Sequence, residues 1–370
     1  MKILYGVQAT GNGHISRARA MNKHLEALGV EVDYVFSGRD PQDYFDMQEF
    51  RNLRYQRGLS LAHTEGRVDI QRTLQAASLP ELIHDIRAMD TRKYDLVLSD
   101  FEPIVAWAAR RQKTFCLGIG HQYAFQEAIP KQGENFFLRS LMRHFAPCQT
   151  HLGMHWHHFN CNILPPIAET QADISLRDKN QYLVYLAFEE KAAIAEFLEG
   201  FEEQTFICYG PYKSFEKVNN ILFKPASRDG FARDLAQSSG VICNAGFELP
   251  SEALQLGVKL LVKPLIGQFE QESNARALEE LGLGLSMTHL DKFKLGFWLH
   301  HFEARHIRYP NVAQAIAQWL VDGDWHNTAD FAKELWQQVE YVRAPRVQSE
   351  CRFPNQTTRP HRLEATLSGC

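Results

Sequence analysis

The sequence predicts an α/β protein built from two doubly wound, Rossmann-like halves that face each other across a cleft. Three observations predict it. Short apolar, β-rich runs alternate with amphipathic stretches along most of the 370 residues, which implies parallel strands joined by right-handed helical crossovers. A Pro-Pro pair inside NILPPIAET (162–170) breaks the alternation near the middle, and the alternation then restarts. The length also suits two domains of ordinary size.

The elements follow in order. KILYGVQA (2–9) reads as a buried strand and GNGH (11–14) as a loop. The stretch 15–29 reads as a helix, with Ile15, Ala18, Met21, Leu25 and Leu28 on one stripe and Gly29 as its stop. VEVDYVFSG (30–38), YDLVLSD (94–100) and TFCLGIG (114–120) are further strands, and Ile104, Val105 and Ala108 mark a helix between the last two. After the interruption come QYLVYLAF (181–188), a helix at 189–200, QTFICYG (204–210), NILFKPA (220–226), GVICNAG (240–246) and KLLVKPL (259–265). The expected division is a first half at 1–163, a linker at 164–170, a second half at 171–342, and a tail at 343–370 whose Arg, Pro and Thr show no periodicity and read as mobile.

Composition excludes several classes. Forty basic against 44 acidic residues give a net charge of −4, which argues against a nucleic-acid binder. No apolar run reaches the ~18 residues of a membrane span, and the N-terminus lacks the apolar core and cleavage site of a signal peptide. The seven cysteines include no CxxC pair and fall largely in apolar runs, as expected of small hydrophobes in a reducing, cytoplasmic setting.

Three segments carry polar residues where open α/β sheets bind ligands. The first is TGNGHISRA (10–18), where Gly11 and Gly13 allow a tight turn and His14 stands at the carboxyl end of the first strand. Ser16 occupies the third glycine position of a dinucleotide fingerprint, and no Gly-Lys-Ser/Thr follows, so neither NAD nor P-loop chemistry fits. His14 can serve as a general base; a capping histidine without chemistry is the plain alternative. The second is Asp100, which ends a strand and is placed to hold the ring of His14, or to cap the helix near Pro103; the two roles are compatible. The third spans 241–284, where a strand ends at Asn244, a turn follows at Gly246, and a helix opens near Leu249. That is an anion site for a diphosphate. Glu252, inside that helix, can accept hydrogen bonds from two ribose hydroxyls. Gln268, Glu270 and Gln271 lie in a following loop that suits sugar hydroxyls, ahead of a helix from Ser273.

Asn244-Ala-Gly-Phe-Glu-Leu-Pro-Ser-Glu252 resembles the donor-site signature of UDP-sugar-dependent GT-B glycosyltransferases, written His-Cys-Gly-Trp-Asn-Ser-x-x-Glu in plant and animal members. Glu270-Gln271-Glu-Ser-Asn274-Ala275 is similar to their Asp-Gln-x-x-Asn-Ala element, and Gly11-Asn-Gly-His14 to their N-terminal histidine loop, also seen in the N-acetylglucosaminyl transferase of peptidoglycan synthesis. Asp100 resembles the acid that pairs with that histidine. The resemblance implies an inverting transferase with His14 and Asp100 catalytic. Asn244, Gly246, Phe247, Glu248, Glu252, Gln268, Glu270 and Gln271 would lie on the donor side, and Gly11, Gly13, His121 and Gln122 on the acceptor side. UDP-sugar is then a substrate rather than a cofactor, no metal is expected, and the acceptor is a lipid, glycan or small molecule. Asn244 and Glu248 depart from the usual His and Asn. A UDP-sugar 2-epimerase and a non-catalytic nucleotide-sugar sensor are the rival expectations.

Three further stretches have competing readings. CQTHLGMHWHHFNC (148–161) has the density of a zinc site but the alternation of a half-buried strand. Asp322-Gly-Asp324 mimics a DxD metal motif but follows a helix, and reads as its final turn. FFLRSLMRHF (136–145) has the composition of an interfacial helix, which would give peripheral membrane contact; a core-facing helix is the expected reading.

Overall fold

The computed structural model describes residues 1–44, 46–59, 63–64, 67–68, 79–168 and 177–343. The expected tail lies outside the described residues apart from its first position, as does the stretch 169–176.

The first half is a seven-stranded parallel sheet. Its strands are β1 (Lys2–Gln8), β2 (Glu31–Ser37), β3 (Leu53–Gln56), β6 (Leu96–Asp100), β7 (Cys116–Gly120), β8 (Thr150–Met154) and β9 (Ile163–Leu164), ordered β3-β2-β1-β6-β7-β8-β9. Two short strands, β4 (His63–Thr64) and β5 (Arg67–Val68), form a separate antiparallel pair. Successive residues of a strand point to opposite faces, so Ile3, Tyr5 and Val7 of β1 pack with Ile15, Ala18, Met21 and Leu25 of α1 (Asn12–Ala27). On the other face Leu4 and Val97 join a cluster under α2 (Leu79–Ala88) and α3 (Pro103–Gln112), with Ile104, Val105 and Ala108 from α3. The order reverses between β1 and β6, and a ligand crevice forms outside the carboxyl ends of strands at such a point. Val7 and Asp100 stand opposite each other there.

The second half repeats the plan. Its strands are β10 (Gln181–Tyr185), β11 (Thr205–Gly210), β12 (Glu216–Val218), β13 (Ile221–Pro225), β14 (Gly240–Asn244), β15 (Lys259–Lys263) and β16 (Leu285–Ser286), ordered β12-β13-β11-β10-β14-β15-β16. Only the β12–β13 pairing is antiparallel. This reversal falls between β10 and β14. The helices are α6 (Lys191–Leu198), α7 (Arg228–Gln237), α8 (Glu248–Leu256), α9 (Phe269–Glu280) and α10 (Lys292–His301). In the first half, α4 (His121–Ala124) and α5 (Phe136–Phe145) connect β7 to β8.

The chain then returns. β17 (His306–Arg308) pairs antiparallel with β18 (Glu340–Arg343). Between them, α11 (Val312–Asp322) packs on α1 and α12 (Thr328–Trp336) reaches β9. Trp336 Nε1 donates to the Ile163 carbonyl at 2.7 Å, and Phe115 stacks on Trp325 with ring centroids 5.4 Å apart. One apolar cluster is therefore continuous through both halves, and residues that sequence alone assigned to the second half also cover the first.

Several boundaries differ from expectation. The first helix begins at Asn12, because Gly11 takes the extended N-cap conformation, so His14 lies in the first helical turn and not in a loop. The expected linker starts as structure: Ile163 and Leu164 extend the sheet, and Pro165 and Pro166 are buried. A proline pair cannot continue a central strand, but it can follow an edge strand. The helix expected from Ser273 starts at Phe269, because the Gln268 side chain caps it by accepting from the Gln271 N–H. Of the His-rich stretch only Thr150–Met154 is strand; the chain turns at 156–162. Helix α5 rides on the surface instead of in a core. Only Met142 and Phe145 among its described side chains lean on buried clusters, and Phe136 is 86% exposed. Asp322 ends α11, with Gly323 as a left-handed cap at φ +81°. No described helix is long and apolar enough to cross a membrane.

Candidate active site

The first half brings His14 and Asp100 together at its switch point. His14 Nδ1 lies 2.7 Å from Asp100 Oδ1. Burial alone would raise the Asp100 carboxyl, but the Arg17 guanidinium and His14 outweigh it and hold the carboxyl below its ordinary value. An ionised Asp100 accepts, so in the neutral imidazole Nδ1 carries the proton and Nε2 is left bare. The side-chain amide nitrogen of Gln122 faces that bare nitrogen at 3.3 Å, and this Gln122 nitrogen donates across the cleft to Glu270 at 3.1 Å.

Asp100 does not cap α3. That role belongs to Glu102, whose side chain accepts from the N–H groups of Ile104 (3.0 Å) and Val105 (2.8 Å) and from Ser37 Oγ (2.7 Å). Burial pushes the Glu102 carboxyl up to about 7 against the pull of these donors. With the cap supplied two residues later, both oxygens of Asp100 are free for α1.

They meet Arg17, which sequence reasoning passed over. Its Nε donates to Oδ2 and its Nη2 to Oδ1 of Asp100, each at 2.7 Å. Its Nη1 donates across the cleft to Glu248, the first residue of α8. The side chain is buried. Burial alone would lower its pKa, but Asp100 and Glu248 raise it above the ordinary arginine value, so it is a fixed cation. Two glycines make room. Gly120, at φ +131°, has Arg17 Nη2 and Asp100 Oδ1 each 3.0 Å from where a Cβ would stand, and a Cβ on Gly13 would collide with the Glu248 carboxylate. The available signal was the spacing of His14 and Arg17, three apart and hence on one helix face.

On the donor side, β14 ends at Asn244, whose amide donates to the Lys263 carbonyl at 3.0 Å. Gly246 faces open space, and no side chain caps the start of α8. Its first N–H groups thus remain available. Glu252 lies one turn into this helix and receives no hydrogen bond from any described residue. Burial, then the charge of Glu248, push its carboxyl up to about 7.

Other expected residues are already engaged. Gln268 caps α9, and Gln271 Oε1 accepts from the Leu265 N–H at 3.0 Å, so both shape the turn before the helix. His121 is fully buried and joins the halves. Its Nδ1 is 2.8 Å from the Met154 carbonyl and its Nε2 is 2.6 Å from Asn274 Oδ1. Asn274 in turn donates to the Ala245 carbonyl at 3.1 Å, and the His121 ring stacks on Phe247 with centroids 4.0 Å apart. Burial lowers the His121 pKa. Gly11 has open space beside it. Tyr185, also passed over, ends β10 and hydrogen-bonds Asn12 from the opposite half.

Two doubly wound sheets meeting at their switch points, with a histidine–carboxylate pair on one side and an uncapped helix start on the other, are the architecture of a GT-B glycosyltransferase. The sequence profile of Glycosyl transferase family 1 matches residues 1–302, and the chain belongs to that family. A protein of Methanosarcina mazei described as an uncharacterised glycosyltransferase is 26% identical over 329 residues, covering 78% of this chain and 87% of its own. A second, from Methanosarcina acetivorans, is 26% identical over 332 residues, covering 79% and 85%. Among solved structures, the glycotransferase of kitacinnamycin aligns with a TM-score of 0.56 at 13% identity, covering 92% of this chain and 99% of its own. The glycosyltransferase SnogD of Streptomyces nogalater aligns with a TM-score of 0.54 at 15% identity, covering 87% and 99%. These two likenesses concern the fold.

Proposed function

We propose that this glycosyltransferase moves a sugar from a UDP-sugar to a hydroxyl acceptor with inversion at the anomeric carbon. The observation that carries the reading is the His14–Asp100 pair, 2.7 Å apart, with Nε2 facing the Gln122 amide that itself reaches Glu270 of the opposite half. In this mechanism the acceptor hydroxyl takes the place of the Gln122 amide at Nε2. Nε2 removes its proton as the oxygen attacks the anomeric carbon, and Asp100 stabilises the imidazolium through Nδ1. The sugar–phosphate bond breaks on the opposite face, and the charge growing on UDP is met by the N–H groups and positive dipole end of α8. Glu252, which has no hydrogen-bond donor among the described residues, accepts from the ribose hydroxyls. In this reading the protein groups do the work of a cation, and no metal is required. Closure of the two halves around bound substrates would expel water and favour transfer over hydrolysis.

The test is to incubate the protein with a panel of UDP-sugars and acceptor extracts, measuring UDP release and the anomeric configuration of the product by NMR. Inverted product supports the reading. Retention of configuration, formation of a 2-epimer without acceptor, or donor binding without turnover would each replace it.

A further inference from the structure

We propose that Arg17 is a positioning residue: it holds the His14–Asp100 pair in register, from a socket that Glu248 of the donor half completes. The inference rests on the proposed role of His14 and concerns a residue outside that chemistry.

A carboxylate that orients an imidazole must itself be oriented. Asp100 stands at the end of a strand, where one torsion would let its oxygens swing. Arg17 removes that freedom with two parallel N–H donors, one on each oxygen, the bidentate geometry that only arginine offers. Oδ1 is shared, receiving His14 Nδ1 and Arg17 Nη2 on its two lone pairs, and these two donors lie 3.1 Å apart. The imidazole is thus seated against a carboxylate whose plane Arg17 sets.

The arrangement has an electrostatic requirement. A guanidinium beside the base opposes the imidazolium that the reaction forms. Asp100 cancels that charge, and Glu248 adds a second carboxylate on Nη1. With His14 neutral, Arg17, Asp100 and Glu248 sum to one negative charge; when His14 takes a proton the cluster becomes neutral. Without Glu248 the same step would run from neutral to positive in a buried place, which is costly. The other groups facing the cluster are the Gln122 amide, Glu270 behind it, Glu252 and His121 on the side of Glu248, and the buried hydroxyl of Tyr5, which has no hydrogen-bond partner among the described residues. Since Glu248 comes from the opposite half, its share of the charge balance is present only where the two halves meet, while the seating by Arg17 and Asp100 lies within the first half.

Arg17→Lys keeps the charge but can reach one oxygen at a time, and Glu248→Gln removes the donor-half carboxylate at the rim of the cluster. Nitrogen-15 NMR of histidine-labelled protein reads the tautomer of His14 without any substrate. In the native protein the Nδ1–H form is expected; in Arg17→Lys the resonances should move toward mixed tautomers. In turnover, Arg17→Lys should lower kcat by ~10–100-fold, as about an ångström of misplacement does, with UDP affinity by calorimetry unchanged. Adding Asp100→Asn should cost less than the product of the single losses. Glu248→Gln should lower kcat in the same direction with the fold intact, which keeps the test decisive if Arg17→Lys does not fold. An unaltered His14 spectrum in Arg17→Lys, or full turnover in Glu248→Gln, overturns the proposal. A shifted spectrum with unchanged turnover in Arg17→Lys would uphold the seating by Arg17 and remove His14 from the role of base.

Discussion

Replacing Glu252 by Gln should move stability and binding in opposite directions. The carboxyl sits at about 7 in the folded protein against an ordinary 4.5, raised by burial and then by Glu248. At ~1.4 kcal/mol per tenfold, the difference amounts to about 3 kcal/mol. Glu252 keeps part of its surface exposed, so water screens some of this, and about 1–3 kcal/mol is the working figure. The sign follows from proton binding. Between pH 4.5 and 7 the folded chain holds the proton more tightly than the unfolded chain, so stability falls as pH rises, and the full penalty stands above 7. Glu252→Gln removes the charge and keeps the shape. It should raise the melting temperature by roughly 2–4 °C at pH 8 and leave it unchanged near pH 4, where the native carboxyl is already protonated. UDP binding should go the other way. An ionised acceptor of two ribose hydroxyls contributes ~1.5–3 kcal/mol per charge-assisted bond, so affinity should drop tenfold or more at pH 8. In the native protein UDP affinity should weaken as pH falls below about 7, because ribose must then compete with the proton. Differential scanning calorimetry and titration calorimetry at the two pH values check both. A melting shift equal at pH 4 and pH 8, or UDP affinity indifferent to the substitution, would refute the argument.

Further outcomes follow from the same geometry. His14→Ala should leave UDP affinity nearly unchanged and cut turnover ~10²–10⁴-fold, while loss of UDP binding with turnover kept would reverse the assigned roles of the halves. Asp100→Asn should cost less, and the pair should be non-additive in single-turnover measurements. Turnover should persist in EDTA and in the Asp322→Ala, Asp324→Ala double variant; activity abolished by EDTA and restored by Mn²⁺ would reveal a metal in the reaction. Glu102→Ala should destabilise the fold by about 2 kcal/mol, since it strips Ser37, Ile104 and Val105 of their acceptor; an unchanged denaturation midpoint would show that water replaces the cap.

The parts legible in the sequence were those governed by local pattern. Alternation of strand and helix revealed both sheets, because burial on two faces leaves a run such as LVLSD (96–100) that nothing else explains. Asp100 was legible because it ends a strand, and His14 because it follows the glycine-containing turn after one. Arg17 was not: a cation on a predicted helix reads as solvent-facing, and its partners Asp100 and Glu248 lie 83 and 231 positions away in sequence. Glu102 was hidden by its neighbour, as an acid at 100 or at 102 fits a helix opening at Pro103 equally well. Gln268 and Gln271 read as ligand groups because sequence does not reveal which polar side chains the turn itself consumes. The destination of α11 was invisible for a related reason. Periodicity marks its apolar face but not the surface that face will cover.

That destination governs how the molecule can be taken apart. A cut after Tyr309, or an exchange of everything beyond Leu164, would uncover α1 where α11 lies, strip Phe115 of Trp325, and leave the Ile163 carbonyl without the Trp336 indole. The first half is therefore not an independent unit of expression. A chimera built to change the donor should graft residues 177–309 between a resident first half and its own 310–343, so that each helix returns to the surface it was selected to cover.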